Sequence, residues 1–393
     1  MARRPFYRRI GDRLYLAYEQ TVIHYWRYRA LRNRARYCPQ LILVTGSCGK
    51  STTTLLATAL LGAQVKALGG LFNNTERWAY KTLRRMTERV DVVVQEASEH
   101  PPGTLGRLAT YLRPEGAIIT SVGLDHITEF RNEEAVAAEM VPLVQDAAIV
   151  ALNADDTRAL GLASFAKGRV VSFGTNPNAD VRAVDISSGL PGGLRFTLAI
   201  GARRWSVRTR FIGTLMLTNV LGALAIVHAT GRDVTSAVET LADTEPALAR
   251  FTFTGLPGHE GMLIDSIKAP FWSALRLADD LPNLNARRLV FVLGPLSDTG
   301  NGGSGRAYRR VLRAAAATAD LVVGLGPAAA AIERLRDEKL KGELIAAWTI
   351  DDAIDVCRSQ PASLFVVKGN RLNGEVSQLI AALGGALPFP LRD

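Results

Sequence analysis

One fourteen-residue run, Leu41-Ile-Leu-Val-Thr-Gly-Ser-Cys-Gly-Lys-Ser-Thr-Thr-Thr54, concentrates the chemistry that the sequence offers most plainly. Its apolar start reads as a buried strand, Gly46 and Gly49 as a tight loop, and the following TTTLLATALL as a helix. A strand that turns through glycines into a helix aims several backbone N–H groups and the positive helix end at one point, a cradle for phosphate. In that cradle Gly46, Ser47, Cys48, Gly49 and Thr52 form the wall, Lys50 reaches the outer phosphates, and Ser51 offers a hydroxyl oxygen to Mg2+. Cys48 is a spacer here, not a nucleophile, because backbone donors do the work. The spacing is shorter than in the common GxxxxGK[ST] loop, so the strand before and the helix after carry the assignment. The alternative is an ordinary glycine-rich turn between a strand and a helix.

The elements around this loop read as a covered parallel sheet. Apolar runs at 41–45, 91–95, 116–120 and 147–152 alternate with helical stretches, and strands that are apolar throughout are buried on both faces. A stranded patch follows from 169 to 210, and runs at 289–293, 321–325 and 363–368 begin a second alternating block near Ala247. The expected fold is α/β: a phosphate-loop domain with a mostly parallel sheet at 39–246, then a Rossmann-like α/β domain at 247–393. The uncharged stretch Phe211 to Gly231 is interrupted by Gly213, Thr218, Asn219 and His228, so it reads as a buried helix of a soluble domain and not as a membrane span.

Composition narrows the function classes. Hydrophobic residues make up 48% of the 393 and charged residues 21%, as in a soluble globular enzyme. Three scattered cysteines support neither a disulfide framework nor a zinc site, and fit a reducing compartment. Of the net charge of +10, residues 1–37 supply +8 through ten arginines against Asp12 and Glu19. The basic character therefore belongs to an N-terminal arm, residues 1–38, and a nucleic-acid role is disfavoured because the body is nearly neutral. In the arm Ile10, Leu14, Ala17, Thr21, Tyr25 and Tyr28 recur at helical spacing among arginines and aromatics. That helix suits an anionic membrane surface or a protein partner, or else packs on the following domain with a solvated basic face. No apolar run in it is long enough to span a bilayer, and no signal-peptide cleavage pattern is present.

Downstream of the loop the chain resembles the Mur ligase family, ATP-dependent enzymes that join a carboxylate to an amine through an acyl phosphate. TGSCGKST resembles the family's phosphate loop. In the family's order follow Asn73-Asn74, Glu96 in VVVQEAS, Asp125-His126 in SVGLDHITEF, LNADD at 152–156, Asn219, Arg250 in ALARF, Asp265 in LIDS, and KGNR at 368–371. The type that adds D-alanyl-D-alanine looks closest. The resemblance implies ATP and Mg2+ as cofactors, with Glu96 and His126 joining Ser51 on the metal and Lys50, Glu96 and His126 in catalysis. It implies Asn219 at adenine, Arg250 and Asp265 on ATP across a domain cleft, and Asn73, Asn74, Lys368 and Arg371 toward substrate. Each has a plainer reading: His126 as an ordinary loop histidine, Asn219 as a cross-link between helices, Arg250 and Asp265 as an ion pair with each other.

Departures from the family pattern are equally specific. The lysine that the family carbamoylates to position Mg2+ has no counterpart, with Met140 nearest its place; Glu139 offers either a substitute carboxylate or a solvated helix face. Leu215 stands where a histidine is common, and SIKAP with Lys268 replaces a tyrosine- and asparagine-rich stretch. The phosphate loop starts at residue 46, without the N-terminal UDP-sugar domain of peptidoglycan-building members, a layout similar to the poly-γ-glutamate synthetase subunit. The expectation is an amide ligase of cell-envelope or polyamino-acid synthesis, cytoplasmic or peripheral at the inner face of the membrane, acting on amino acids or peptides and a carboxylate. A catalytically degenerate nucleotide-binding scaffold is the alternative.

Overall fold

The structure is a computed structural model that describes residues 6–38, 40–71, 74–123, 129–190, 192–247, 249–297, 304–370 and 374–385. Two sheets organise it. The first contains β1 (Gln40–Thr45), β2 (Ala67–Gly70), β3 (Val92–Glu96), β4 (Gly116–Ile119), β5 (Ile149–Asn153), β6 (Arg169–Gly174), β7 (Val181–Gly189), β8 (Gly193–Ile200) and β9 (Arg203–Arg208), in the order β2-β3-β1-β4-β5-β6-β7-β8-β9. Pairings from β2 through β7 are parallel, and β7, β8 and β9 close the sheet as an antiparallel extension. The second holds β10 (Arg250–Thr254), β11 (Gly261–Asp265), β12 (Leu289–Leu293), β13 (Leu321–Leu325), β14 (Glu343–Ala347) and β15 (Leu364–Lys368), ordered β10-β11-β15-β12-β13-β14 with only β10 antiparallel. The α/β architecture with two mostly parallel sheets is the one the alternating pattern predicts.

The position of β1 decides where the site lies. The chain leaves β1, pairs β3 on one side of it and later β4 on the other, so the strand order reverses at β1 and a crevice opens beyond its carboxyl end. Helix α2 (Lys50–Gly62) starts there, and the loops after β3 and β4 reach the same place. The Leu217–Ala229 helix packs against α2 and is buried on nearly every side, Asn219 included, which explains the uncharged stretch without a bilayer. Among the described residues no helix is long and apolar enough to cross a membrane.

The arm forms helix α1 (Phe6–Tyr37). From Ile23 onward one face packs on α3 (Glu76–Arg84) and α4 (Thr104–Leu112): Ala30 is buried, Arg27 lies 4.0 Å over the Tyr111 ring, and Arg34 pairs with Glu115 at 2.9 Å. Asn33 makes the most consequential contact. Its side-chain amide donates to the carbonyls of Leu83 (3.1 Å), Arg84 (2.8 Å) and Met86 (3.0 Å), satisfying the acceptors that the end of α3 leaves open. Asn33→Ala is therefore expected to destabilise the protein by about 1–3 kcal/mol. Asn33→Asp should be worse, because a carboxylate would face carbonyl oxygens at the negative end of a helix. Thermal unfolding of the two variants checks the order, and equal midpoints would refute the capping role.

Candidate active site

Backbone geometry makes the loop after β1 a cradle. Gly46 and Gly49 have φ of +131° and +85°, which disfavour a side chain. Space forbids one as well: a Cβ on Gly46 would lie 2.2 Å from Thr120 Oγ1, and one on Gly49 would lie 2.0 Å from Asn219 Oδ1. The loop is tied to the segment after β4. Ser47 N–H donates to Ser121 O, Cys48 N–H donates to Ser121 Oγ, and Ser47 Oγ bonds both Gly123 N–H and Gly123 O. Further donors come from the first turn of α2, beginning at Lys50, where helical N–H groups have no partner within the helix and suit an anion.

A cleft runs between the two sheets. From the first side it is lined by Ser47, Cys48, Gly49, Lys50, Ser51, Thr52, Asn74, Glu96, Thr120 and Asn219, and from the second by Arg250, Phe251, Asp265, Lys268, Ser273 and Arg276. Glu96 ends β3, in register beside Val44 at the end of β1, and is 3% exposed. Asn74 is held there by its carbonyl, which accepts from Ser98 N–H. Arg250 and Asp265 face each other as cross-strand partners on β10 and β11. Three of the residues singled out from sequence, Asn73, His126 and Arg371, lie outside the described residues.

Lys50 is folded back over its own loop. Its ammonium donates to Gly46 O at 2.6 Å and lies 3.4 Å from a Glu99 carboxylate oxygen. Glu99 escaped the sequence reading, although it stands three residues past Glu96; its side chain has no exposure and its other oxygen is buried without a hydrogen bond. Only the fold brings it under the loop. Lys268 entered the sequence reading solely as a departure, and Arg276 and Ser273 gave no signal at all, because the helix Phe271–Asp280 reaches the cleft only through packing of the second sheet on the first.

Two sequence expectations are corrected. Lys368 does not reach toward a substrate: it is 1% exposed, and its three donors go to Asp265 Oδ2 (2.6 Å), the carbonyl of Lys268 (2.9 Å) and Ser273 Oγ (3.0 Å). β15 lies beside β11, so a lysine at the end of one is placed to hold an aspartate at the end of the other. Asp265 accordingly pairs with Lys368, not with Arg250. Glu139, on α5 (Glu133–Asp146), neither supplies a carboxylate to the cleft nor lies on a solvated face; it accepts from Gly103 N–H (2.8 Å) and Leu105 N–H (3.1 Å), capping α4. Met140 beside it is in the core.

Asn219 makes the helix cross-link: its Oδ1 accepts from Thr53 Oγ1 at 3.2 Å, and the residue also lines the cleft against Gly49. Leu215 lines the cleft too, while its N–H donates to Asp280 Oδ2 at 3.1 Å, and Asp280 also accepts from Thr214 Oγ1. This buried aspartate fastens the second α/β unit to the segment before the Leu217–Ala229 helix. Burial pushes the Cys38 and Cys357 thiols up to about 11 and about 12, which leaves both inert near neutrality. Cys48, in the cleft, is partly accessible.

The donor set fits a magnesium nucleotide. A buried carboxylate and a hydroxyl, Glu96 and Ser51, lie beside a phosphate cradle and are hard oxygen donors of the kind Mg2+ takes.

Comparison with known proteins agrees with this geometry. Residues 44–227 match the Mur ligase middle domain. A UDP-N-acetylmuramoyl-tripeptide–D-alanyl-D-alanine ligase of Mycobacterium bovis is 31% identical over 211 residues, which are 52% of this chain and 41% of that protein. The chain thus spans less than half the length of this curated relative. The crystal structure of MurF from Acinetobacter baumannii superposes with a TM-score of 0.80 at 22% identity, covering 92% of this chain and 79% of that one. Mycobacterium tuberculosis folylpolyglutamate synthase, solved with ADP and AMPPCP, has a TM-score of 0.70 at 17% identity and covers 93% and 95%. Residues 44–227 thus carry a Mur ligase middle domain, and the chain has the fold of these ligases over nearly its whole described length.

Proposed function

We propose that the chain is an ATP-dependent ligase that joins a carboxylate to the amine of an amino acid or peptide through an acyl phosphate. The observation that carries this reading is the cleft in which the loop after β1 and Glu96 face Arg250, Asp265, Lys268 and Arg276. Four cations against two carboxylates suit a polyanion held between two α/β units. We divide the chain accordingly into the arm at 1–38, the ATP-binding domain at 39–246 and the closing domain at 247–393.

In this reading the substrate carboxylate attacks the γ-phosphorus, forming its O–P bond as the bond to ADP breaks. Lys50 swings from Gly46 O to meet the charge that develops on the transferring phosphoryl oxygens. Ser51 and Glu96, with His126 as third member, would hold Mg2+, which would supply charge to neutralise the phosphates. Arg250 and Asp265 grip the nucleotide from the far side, with Asn219 toward its base. Closure of the cleft keeps water from the acyl phosphate until the amine attacks the acyl carbon and phosphate leaves. We assign Asn73, Asn74 and Arg371 to substrate binding. ATP use places the reaction in the cytoplasm. We take envelope or polyamino-acid synthesis as the setting.

The second reading, a nucleotide-binding scaffold without turnover, is favoured by one observation: at the place of the family's carbamoylated lysine, Met140 is in the core and Glu139 caps α4. One experiment separates the two. Purified protein is given Mg-ATP with pooled carboxylates, amino acids and short peptides, and ADP release and hydroxamate formation with hydroxylamine are followed. Maleimide labelling of Cys48 reports nucleotide binding independently. Carboxylate-dependent turnover with hydroxamate establishes the ligase; protection of Cys48 by Mg-ATP without turnover in any pool establishes the scaffold.

A further inference from the structure

The face of α1 that does not pack inward continues into α3 as one basic and aromatic surface. Tyr25 and Tyr28 are 54% and 63% exposed, and Arg29 and Arg32 are exposed on the same side of the helix. The seam between the helices is made by Trp26 of α1, whose ring carries Arg84 at 4.1 Å and Arg77 at 4.6 Å from α3. Lys81, one turn from each of these arginines, lies 3.4 Å over the Trp78 ring. The acidic residues nearby are committed elsewhere: Glu76 to Arg107, Glu115 to Arg34 and Glu88 to Lys66. The crowding is reflected in Lys81, whose ammonium is held below its usual range first by desolvation and then by Arg85, Arg84 and Arg77.

We propose that this α1/α3 surface docks the protein onto an anionic phospholipid bilayer. Three features select lipid. Among the described side chains the surface is cationic, with its nearby acids paired, so it attracts a negatively charged plane. Its large side chains are tyrosine and tryptophan, which have one apolar and one polar end and so favour the headgroup layer. Among the described side chains Leu31, 36% exposed, is the one large aliphatic at this face, so the contact from residue 21 onward is made by charge and aromatic rings. The placement also has a consequence for the cleft. α3 begins two residues after cleft-lining Asn74 and ends at Arg84 in the patch, a helix of about 14 Å. A docked molecule therefore holds its cleft close to the headgroup plane. Resting on the ligase reading, this makes a membrane-anchored carboxylate or amine the fitting substrate class.

The test needs no turnover, so it stands or falls separately from the ligase reading. The full chain is sedimented with vesicles of phosphatidylcholine alone and of phosphatidylcholine with phosphatidylglycerol, at low and high salt. The triple variant Arg29→Glu, Arg32→Glu, Arg85→Glu is run beside it; all three positions are exposed, and unfolding midpoints verify the fold. The expected result is binding to anionic vesicles only, lost at high salt and weakened at least about a hundredfold in the variant. Equal binding to neutral vesicles, no binding to anionic ones, or an unchanged variant overturns the proposal. So does duplex DNA that displaces the protein from anionic vesicles at matched phosphate, which would make the surface a nucleic-acid site.

Discussion

Lys50→Met is expected to lower ADP release by about a hundredfold to a thousandfold, because it removes the side-chain cation placed to meet charge developing on the transferred phosphoryl group. The same substitution is expected to loosen the fold. Glu99 has no exposed surface and Lys50 is its ion-pair partner at 3.4 Å, so the variant leaves a buried carboxylate uncompensated, a change worth about 3–5 kcal/mol. The two losses can be separated. Adding Glu99→Gln removes the stranded charge while preserving shape, so the double variant should recover much of the unfolding midpoint and none of the turnover. Recovery of turnover along with stability would mean that Lys50 serves the fold and not phosphoryl transfer. Thermal unfolding and ADP release on wild type, single and double variants decide it.

Lys368→Met should behave differently, although the resemblance places both lysines at the site. Lys368 is buried at the end of β15 with all three donors engaged, and it holds Asp265 and Ser273 at the edge of the cleft. Losing it is expected to destabilise the second α/β unit by about 3–5 kcal/mol, a fall in midpoint of roughly 10 °C. In the surviving folded fraction, measured well below the midpoint, KM for ATP should rise as Asp265 loses its anchor while kcat changes little. A fall in kcat with unchanged KM would instead put Lys368 at the reacting atoms and return it to a direct role. The pair of lysines is a useful contrast: one is bent over a loop that a nucleotide would straighten, whereas the other is fully satisfied.

The phosphate cradle was legible because it is local. A strand, two glycines and a helix start occupy fourteen consecutive residues, and backbone stereochemistry ties Gly46 and Gly49 to the positive φ values they adopt. The long parallel strands were legible for a related reason: burial on both faces demands apolar runs such as LILVT and LVFVL. β2 and β14 were not, since ALGG and ELIAA are short and only partly buried, and neither carries the apolar run that burial on both faces imposes. β10, RFTFT, also lacked that run; its first residue is identifiable only as the arginine of a motif.

By itself, then, the sequence determined the α/β class, the loop at 46–52, the placement of Glu96 at a strand end and the separation of a basic arm from a nearly neutral body, each a property of neighbouring residues. Tertiary structure alone decided that Glu99 lies under Lys50, 49 positions away, that Lys368 belongs to Asp265 across 103 positions, that Glu139 caps a helix, and that Arg276 joins the cleft. It also decided that, from Ile23 onward, one face of the arm is spent on α3 and α4 while the other remains exposed. The physical reason is common to all of these. A charged side chain looks the same in sequence whether it is solvated, buried against a partner or turned into a cleft, and its surroundings arise only when strands and helices distant in the chain pack side by side.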